Sequence, residues 1–168
     1  MKILGIDPGF ERIGVAIIER KENQKDSLVY SSCFKRCAKI PFHGRLTAIG
    51  NELERVIKKY KPEALAIEKL YFTNNQKTVM GVSEARGVIV YSASRNGLQI
   101  FEYTPPEIKV AVTGYGKADK RMVMSMVPKL IDIDNTINSD DELDAIAIGL
   151  TCLASVRFST GIKVLQRK

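Results

Sequence analysis

The chain has 168 residues, 45% of them hydrophobic, and carries 26 Lys and Arg against 19 Asp and Glu, a net charge of +7. That length suits one domain with a full core, and no apolar run reaches the ~18 residues a transmembrane helix needs. The first apolar run stops at Asp7, so no signal peptide is expected, and the basic surplus points to a polyanionic partner, nucleic acid ahead of membrane lipid. Cys33, Cys37 and Cys152 are odd in number and form no CxxC pair, which suggests reduced thiols in a cytoplasmic protein, with Cys33 and Cys37 read as core packing. His43 is the only histidine, so a His-rich metal site is excluded. No GxxxxGK[ST] loop is present, and no GxGxxG follows a strand.

Residues 2–7, 12–20 and 28–37 read as three strands, separated by Pro8-Gly9 and by the polar run KENQKDS. They form an antiparallel meander. Leu46, Ile49, Leu53, Val56, Ile57 and Tyr60 recur at helical steps, and Pro62 ends that helix. Ala64-Leu65-Ala66-Ile67 is a fourth strand, closed by Glu68. A helix over about 76–96 precedes a fifth strand at 98–103. Pro105-Pro106 opens a short helix that ends near Gly114, and the glycine-rich basic loop GYGKADK leads to another helix. The last helix begins at Ser139, with Glu142 three residues on as a capping box. The order predicts an α/β fold, a five-stranded mixed sheet with helices on both faces. Residues 1–157 form one domain, and 158–168 a basic tail expected to be disordered.

Two of the strands end in a carboxylate, Asp7 and Glu68, and ligand sites in open α/β sheets lie outside strand ends. Asp141 and Asp144 stand three apart on the last helix and so share a face. If that face meets the ends of strands one and four, four carboxylates converge. Clustered anions are a poor structural choice unless cations neutralise them. Oxygen-only ligands suit Mg²⁺ or Mn²⁺, and a pair of such ions catalyses phosphodiester cleavage. Each signal has a structural alternative. Asp7-Pro8-Gly9 makes a turn, and acids in a first helical turn suit the dipole.

The runs ILGIDPG, AIEKLYF, SEARGVIV, FEYTPPEIKVAVTGYGKADK and DELDAIAIGL, in this order, resemble the RuvC-type Holliday junction resolvases of the RNase H-like superfamily. The resemblance covers about residues 1–157. It implies an RNase H-like fold and a magnesium-dependent homodimer in the bacterial cytoplasm. Such an enzyme cuts four-way junction DNA by paired symmetric incisions, and the resemblance suggests a branch-migration motor complex as a further partner. It places an acidic tetrad, holding two Mg²⁺ ions, on Asp7, Glu68, Asp141 and Asp144. It also places a DNA-contacting aromatic on Tyr71, beside Phe72, and basic DNA contacts on Lys109 and Lys120, extended by Lys117 and Arg121. The structural alternatives are core packing for the aromatics and solvated charge for the lysines. The helix bearing SEARG looks like the family's dimer helix, with Arg86 serving the site, its support or the dimer.

The sequence departs from the family after DPG, where Phe10-Glu11-Arg12-Ile13-Gly14-Val15-Ala16 reads a little like the YqgF group. A YqgF-like nuclease acting on structured RNA is therefore a rival. A non-catalytic junction-binding protein is another.

Overall fold

The computed structural model describes residues 1–35, 40–70, 76–133, 137 and 139–156. Tyr71, Phe72, Cys37 and the basic tail lie outside the described residues. Five strands, β1 (Lys2–Pro8), β2 (Arg12–Glu19), β3 (Ser27–Lys35), β4 (Ala64–Glu68) and β5 (Gln99–Tyr103), form one sheet in the order β3-β2-β1-β4-β5. β1 pairs antiparallel with β2 and parallel with β4. β3 adds antiparallel to β2, and β5 adds parallel to β4. The mixed sheet expected from the element order is the one observed.

Five helices, α1 (Phe42–Tyr60), α2 (Gln76–Arg95), α3 (Pro105–Thr113), α4 (Lys120–Leu130) and α5 (Asp140–Ser155), cover it. Alternation along the strands sorts the core into two layers. Leu4, Ile6, Val15, Ile17, Leu65 and Ile67 pack toward α1 and α2. Ile3, Ala16, Ile18, Ala64 and Ala66 pack toward α3, α4 and α5. Asp7 continues the second set from Ile3 and Gly5, and Glu68 continues it from Ala66. Both acids therefore emerge on the α5 side.

Local chemistry fixes the helix ends that matter for the site. Thr104 caps α3 in a reciprocal box with Glu107: the Glu107 N–H donates to Thr104 Oγ1 at 3.4 Å, and the Thr104 N–H donates to Glu107 Oε2 at 2.7 Å. Gly114, at φ 77°, closes the same helix in the left-handed region that glycine tolerates. Asp119 caps α4 by accepting from the Met122 N–H at 2.8 Å. Ser139 caps α5 by accepting from the Glu142 N–H at 3.3 Å. Glu142 is buried and also accepts from Ser31 on β3 at 2.5 Å. That bond ties the first turn of α5 to the sheet.

Candidate active site

Register brings the first two acids together. Ile6 pairs with Ile67, so Asp7 and Glu68 follow as neighbours at the carboxyl ends of parallel strands. α5 crosses above them. Asp7, Glu68 and Asp144 line one cavity of about 330 Å³ with Lys109, Lys120, Pro105, Ile108, Val123, Ala147 and Ile148. The lysines come from α3 and from the first residue of α4. Lys120 Nζ donates to Asp144 Oδ2 at 3.1 Å and lies 3.7 Å from Asp140.

The cluster strains its own charges. Burial, and then the carboxylates of Asp144, Glu68 and Asp141, push the Asp7 carboxyl up to about 7 against the opposing pull of Lys120. Burial, and then Asp144, raises Glu68. Asp144 is also raised by burial, although the Lys120 bond works the other way.

Asp141 stands differently. It shares the α5 face with Asp144 and acts on Asp7 through space, but it does not line the cavity. Its Oδ2 accepts from Arg12 Nη1 at 3.3 Å and from Cys33 Sγ at 3.5 Å. Cys33 is thus partly exposed and polar in its contacts, not a core residue as expected. Burial, and then Asp141, raises its thiol above the usual range.

With Lys120 on Asp144 and Arg12 on Asp141, no three Asp, Glu, His or Cys side chains among the described residues are gathered closely enough to hold an ion as they stand. The donor chemistry nevertheless suits a hard divalent cation. The carboxylates that raise one another are all oxygen ligands, and added positive charge would relieve the repulsion on Asp7.

Of the predicted basic residues, Lys109 and Lys120 line the cavity. Lys117 and Arg121 are exposed outside its lining. Arg86 on α2 donates from Nε to the Glu68 carbonyl at 3.5 Å and pairs with Glu102 on β5. Arg12 and Cys33 were missed as site residues. For Arg12 a signal existed: period-two alternation along β2 puts it on the same face as Gly14, Ala16 and Ile18, beneath the acidic helix. The divergent turn after Asp7 also finds a place. Phe10 stacks on Phe42 with ring centroids 6.4 Å apart, and the Arg45 guanidinium lies 5.7 Å from its ring centre. A Cβ on Gly81 of α2 would come within 2.5 Å of the Phe10 ring, so the two are in tight contact. The departure therefore anchors the turn to α1 and α2.

The sheet order and its crossing helix are those of an RNase H-like fold, with acids where the strands end. The chain belongs to the RuvC family: the model for "Crossover junction endodeoxyribonuclease RuvC" matches residues 3–152. The crossover junction endodeoxyribonuclease RuvC of Desulfitobacterium hafniense is 40% identical over 156 residues, covering 93% of this chain and 94% of that one. The Caldanaerobacter subterraneus protein of the same name is 39% identical over 150 residues, covering 89% and 90%. The Thermus thermophilus RuvC structure in complex with a Holliday junction substrate superposes with a TM-score of 0.84 at 28% identity, covering 91% and 93%. The yeast mitochondrial resolvase Ydc2, 13% identical, shares the fold with a TM-score of 0.68, covering 90% and 78%. Among the described residues, no helix is long and apolar enough to cross a membrane.

Proposed function

We propose that this chain is a homodimeric, magnesium-dependent endodeoxyribonuclease. It resolves four-way DNA junctions by paired symmetric incisions in recombination and repair. One observation carries the reading. Three carboxylates and two lysines converge on one cavity, in a chain whose family is that of the crossover junction endodeoxyribonucleases.

Asp7, Glu68 and Asp144 would hold the cation, with Asp141 joining once it leaves Arg12. Bound there, magnesium would supply charge neutralisation at the scissile phosphate and lower the pKa of an attacking water. Asp7 is fixed by a buried strand paired on both sides, so its carboxylate needs little ordering when substrate arrives. Lys109 and Lys120 attract the phosphodiester backbone regardless of sequence. Incision would leave 5′-phosphate and 3′-hydroxyl ends. The homodimer reading is supported by the outer face of α2, where Met80 and Tyr91 are 66% and 64% exposed and Gly87 has open space above it.

The test is a synthetic four-way junction incubated with Mg²⁺ and either the natural chain or Asp7→Asn. Paired nicks by the natural chain alone support the reading. Equal cutting by both proteins overturns it.

A further inference from the structure

Glu68 carries its carboxylate on the α5 side of the sheet, yet the residue that braces it comes from the other side. Ile100 on β5 packs in the layer facing α1 and α2, and alternation puts Glu102 on that same face. Arg86 projects from α2, beside the buried Ala85 and Ile89, with only 20% of its side chain exposed. Its guanidinium reaches two strands at once: Nε donates to the Glu68 carbonyl at 3.5 Å, and Nη2 pairs with Glu102. Glu68 is the last residue of β4. Immediately beyond it the Lys69 N–H bonds the Tyr103 carbonyl at 2.8 Å. The Glu68 backbone is thus held by the sheet on one side and by a charged donor from beneath. A guanidinium this far out of water is a costly way to join a helix to a strand, and an apolar contact would serve that purpose as well.

We propose that Arg86 is a positioning residue for the metal site. It clamps the Glu68 carbonyl and Glu102 together so that the Glu68 carboxylate stays aimed at Asp7 and Asp144. The inference rests on the reading of Glu68 as a cation ligand. It goes beyond that reading by giving an arginine on the opposite face of the sheet control over cation affinity.

Mn²⁺ binding to the full chain, followed by electron paramagnetic resonance of the free ion, tests both levels. Glu68→Gln should abolish tight binding. Arg86→Gln should weaken it roughly tenfold, as loss of an outer support does at other metal sites. Arg86→Lys, which keeps the charge but loses the fork, should fall between Arg86→Gln and the natural chain. Unaltered binding by Glu68→Gln overturns the ligand reading and the proposal with it. Loss of binding in Glu68→Gln, with Arg86→Gln matching the natural chain, overturns the proposal alone. A fall in melting temperature with unchanged affinity does the same, because it reduces Arg86 to a structural cross-link. If Arg86→Gln does not fold, Glu102→Gln, altered at a 41% exposed side chain, carries the test. Weakened Mn²⁺ binding there supports the clamp, and unchanged binding overturns it.

Discussion

Gly14 lies directly beneath the backbone carbonyl of Asp141: a Cβ built on it would stand 1.9 Å from that oxygen. Gly14 is the β2 partner of Asp7. The absence of a side chain there lets α5 descend onto the sheet and brings its acids to the strand end. Gly5, two residues before Asp7 on the same face, does the same one turn further along. Its Cβ would fall 2.3 Å from the Ala145 carbonyl and 3.0 Å from the Gly149 nitrogen.

Gly14→Ala and Gly5→Ala should therefore lift α5. The obstructing atoms are backbone, so relief requires moving the helix, and each change should cost about 3 kcal/mol or more. Urea unfolding measures the loss. Folded Gly14→Ala should also cleave more slowly, since Asp141 and Asp144 move away from Asp7. A stability within experimental error of the natural chain would show that the helix does not rest on these glycines.

The metal-free protein should lose stability as pH rises. Asp7 titrates near 7 when folded against an ordinary 3.8, so the folded state holds that proton more tightly. Its contribution is complete below about 3.8 and disappears as pH passes through about 7, a change of up to ~4 kcal/mol. Melting in EDTA at pH 5 and pH 8 should show the decline. Asp7→Asn, which cannot ionise, should flatten the curve and melt higher than the natural chain at pH 8. Added Mg²⁺ should reverse the decline in the natural chain only.

In the proposed cation site Arg12, which contacts Asp141 at 3.3 Å, would compete with a cation for that carboxylate. Arg12→Met should free that carboxylate and remove a positive charge from the site, tightening Mn²⁺ binding about two- to fivefold, the scale of an exposed ion pair. Titration of Mn²⁺ into the two proteins decides the sign. Weaker binding by Arg12→Met would mean that Arg12 orients Asp141 toward the cation instead of withholding it.

Lys109 and Lys120 should separate in their effects. Among the described residues Lys109 has no carboxylate partner, so Lys109→Ala should mainly weaken junction binding. It should reduce the slope of log affinity against log salt by about 0.9, the value for one phosphate contact. Lys120 lies on Asp144, so Lys120→Ala should change both binding and the charge balance of the acids. Burial disfavours the Lys120 ammonium, but the Asp144 bond, followed by the Asp140 and Asp141 charges, still raises its pKa. Removing it takes away a cationic influence that holds Asp7 down. In Lys120→Ala the stability decline with pH should therefore steepen, as read by the same melting experiment.

Much of this was legible in the chain itself. Period-two alternation, Pro-Gly punctuation and the 46–60 helical repeat are local signals, and they marked each strand and helix to within a few residues. The caps at Ser139 and Gly114 were visible for the same reason. Two strands ending in Asp7 and Glu68, and two acids three apart on one helix, were also plain in the sequence, because strand ends and helix faces follow from spacing alone. The strand order β3-β2-β1-β4-β5 was not, since pairing between distant segments depends on which faces bury together. Only the tertiary structure put Asp141 onto Arg12 and Cys33 while Asp144 went to Lys120, although spacing makes the two aspartates equivalent. Only it carried Arg86 under the sheet to the Glu68 carbonyl. The physical reason is common to both: spacing determines which way a side chain leaves its own element, and the group it meets there belongs to a different element, 18 residues away for Arg86 and Glu68 and 129 for Arg12 and Asp141.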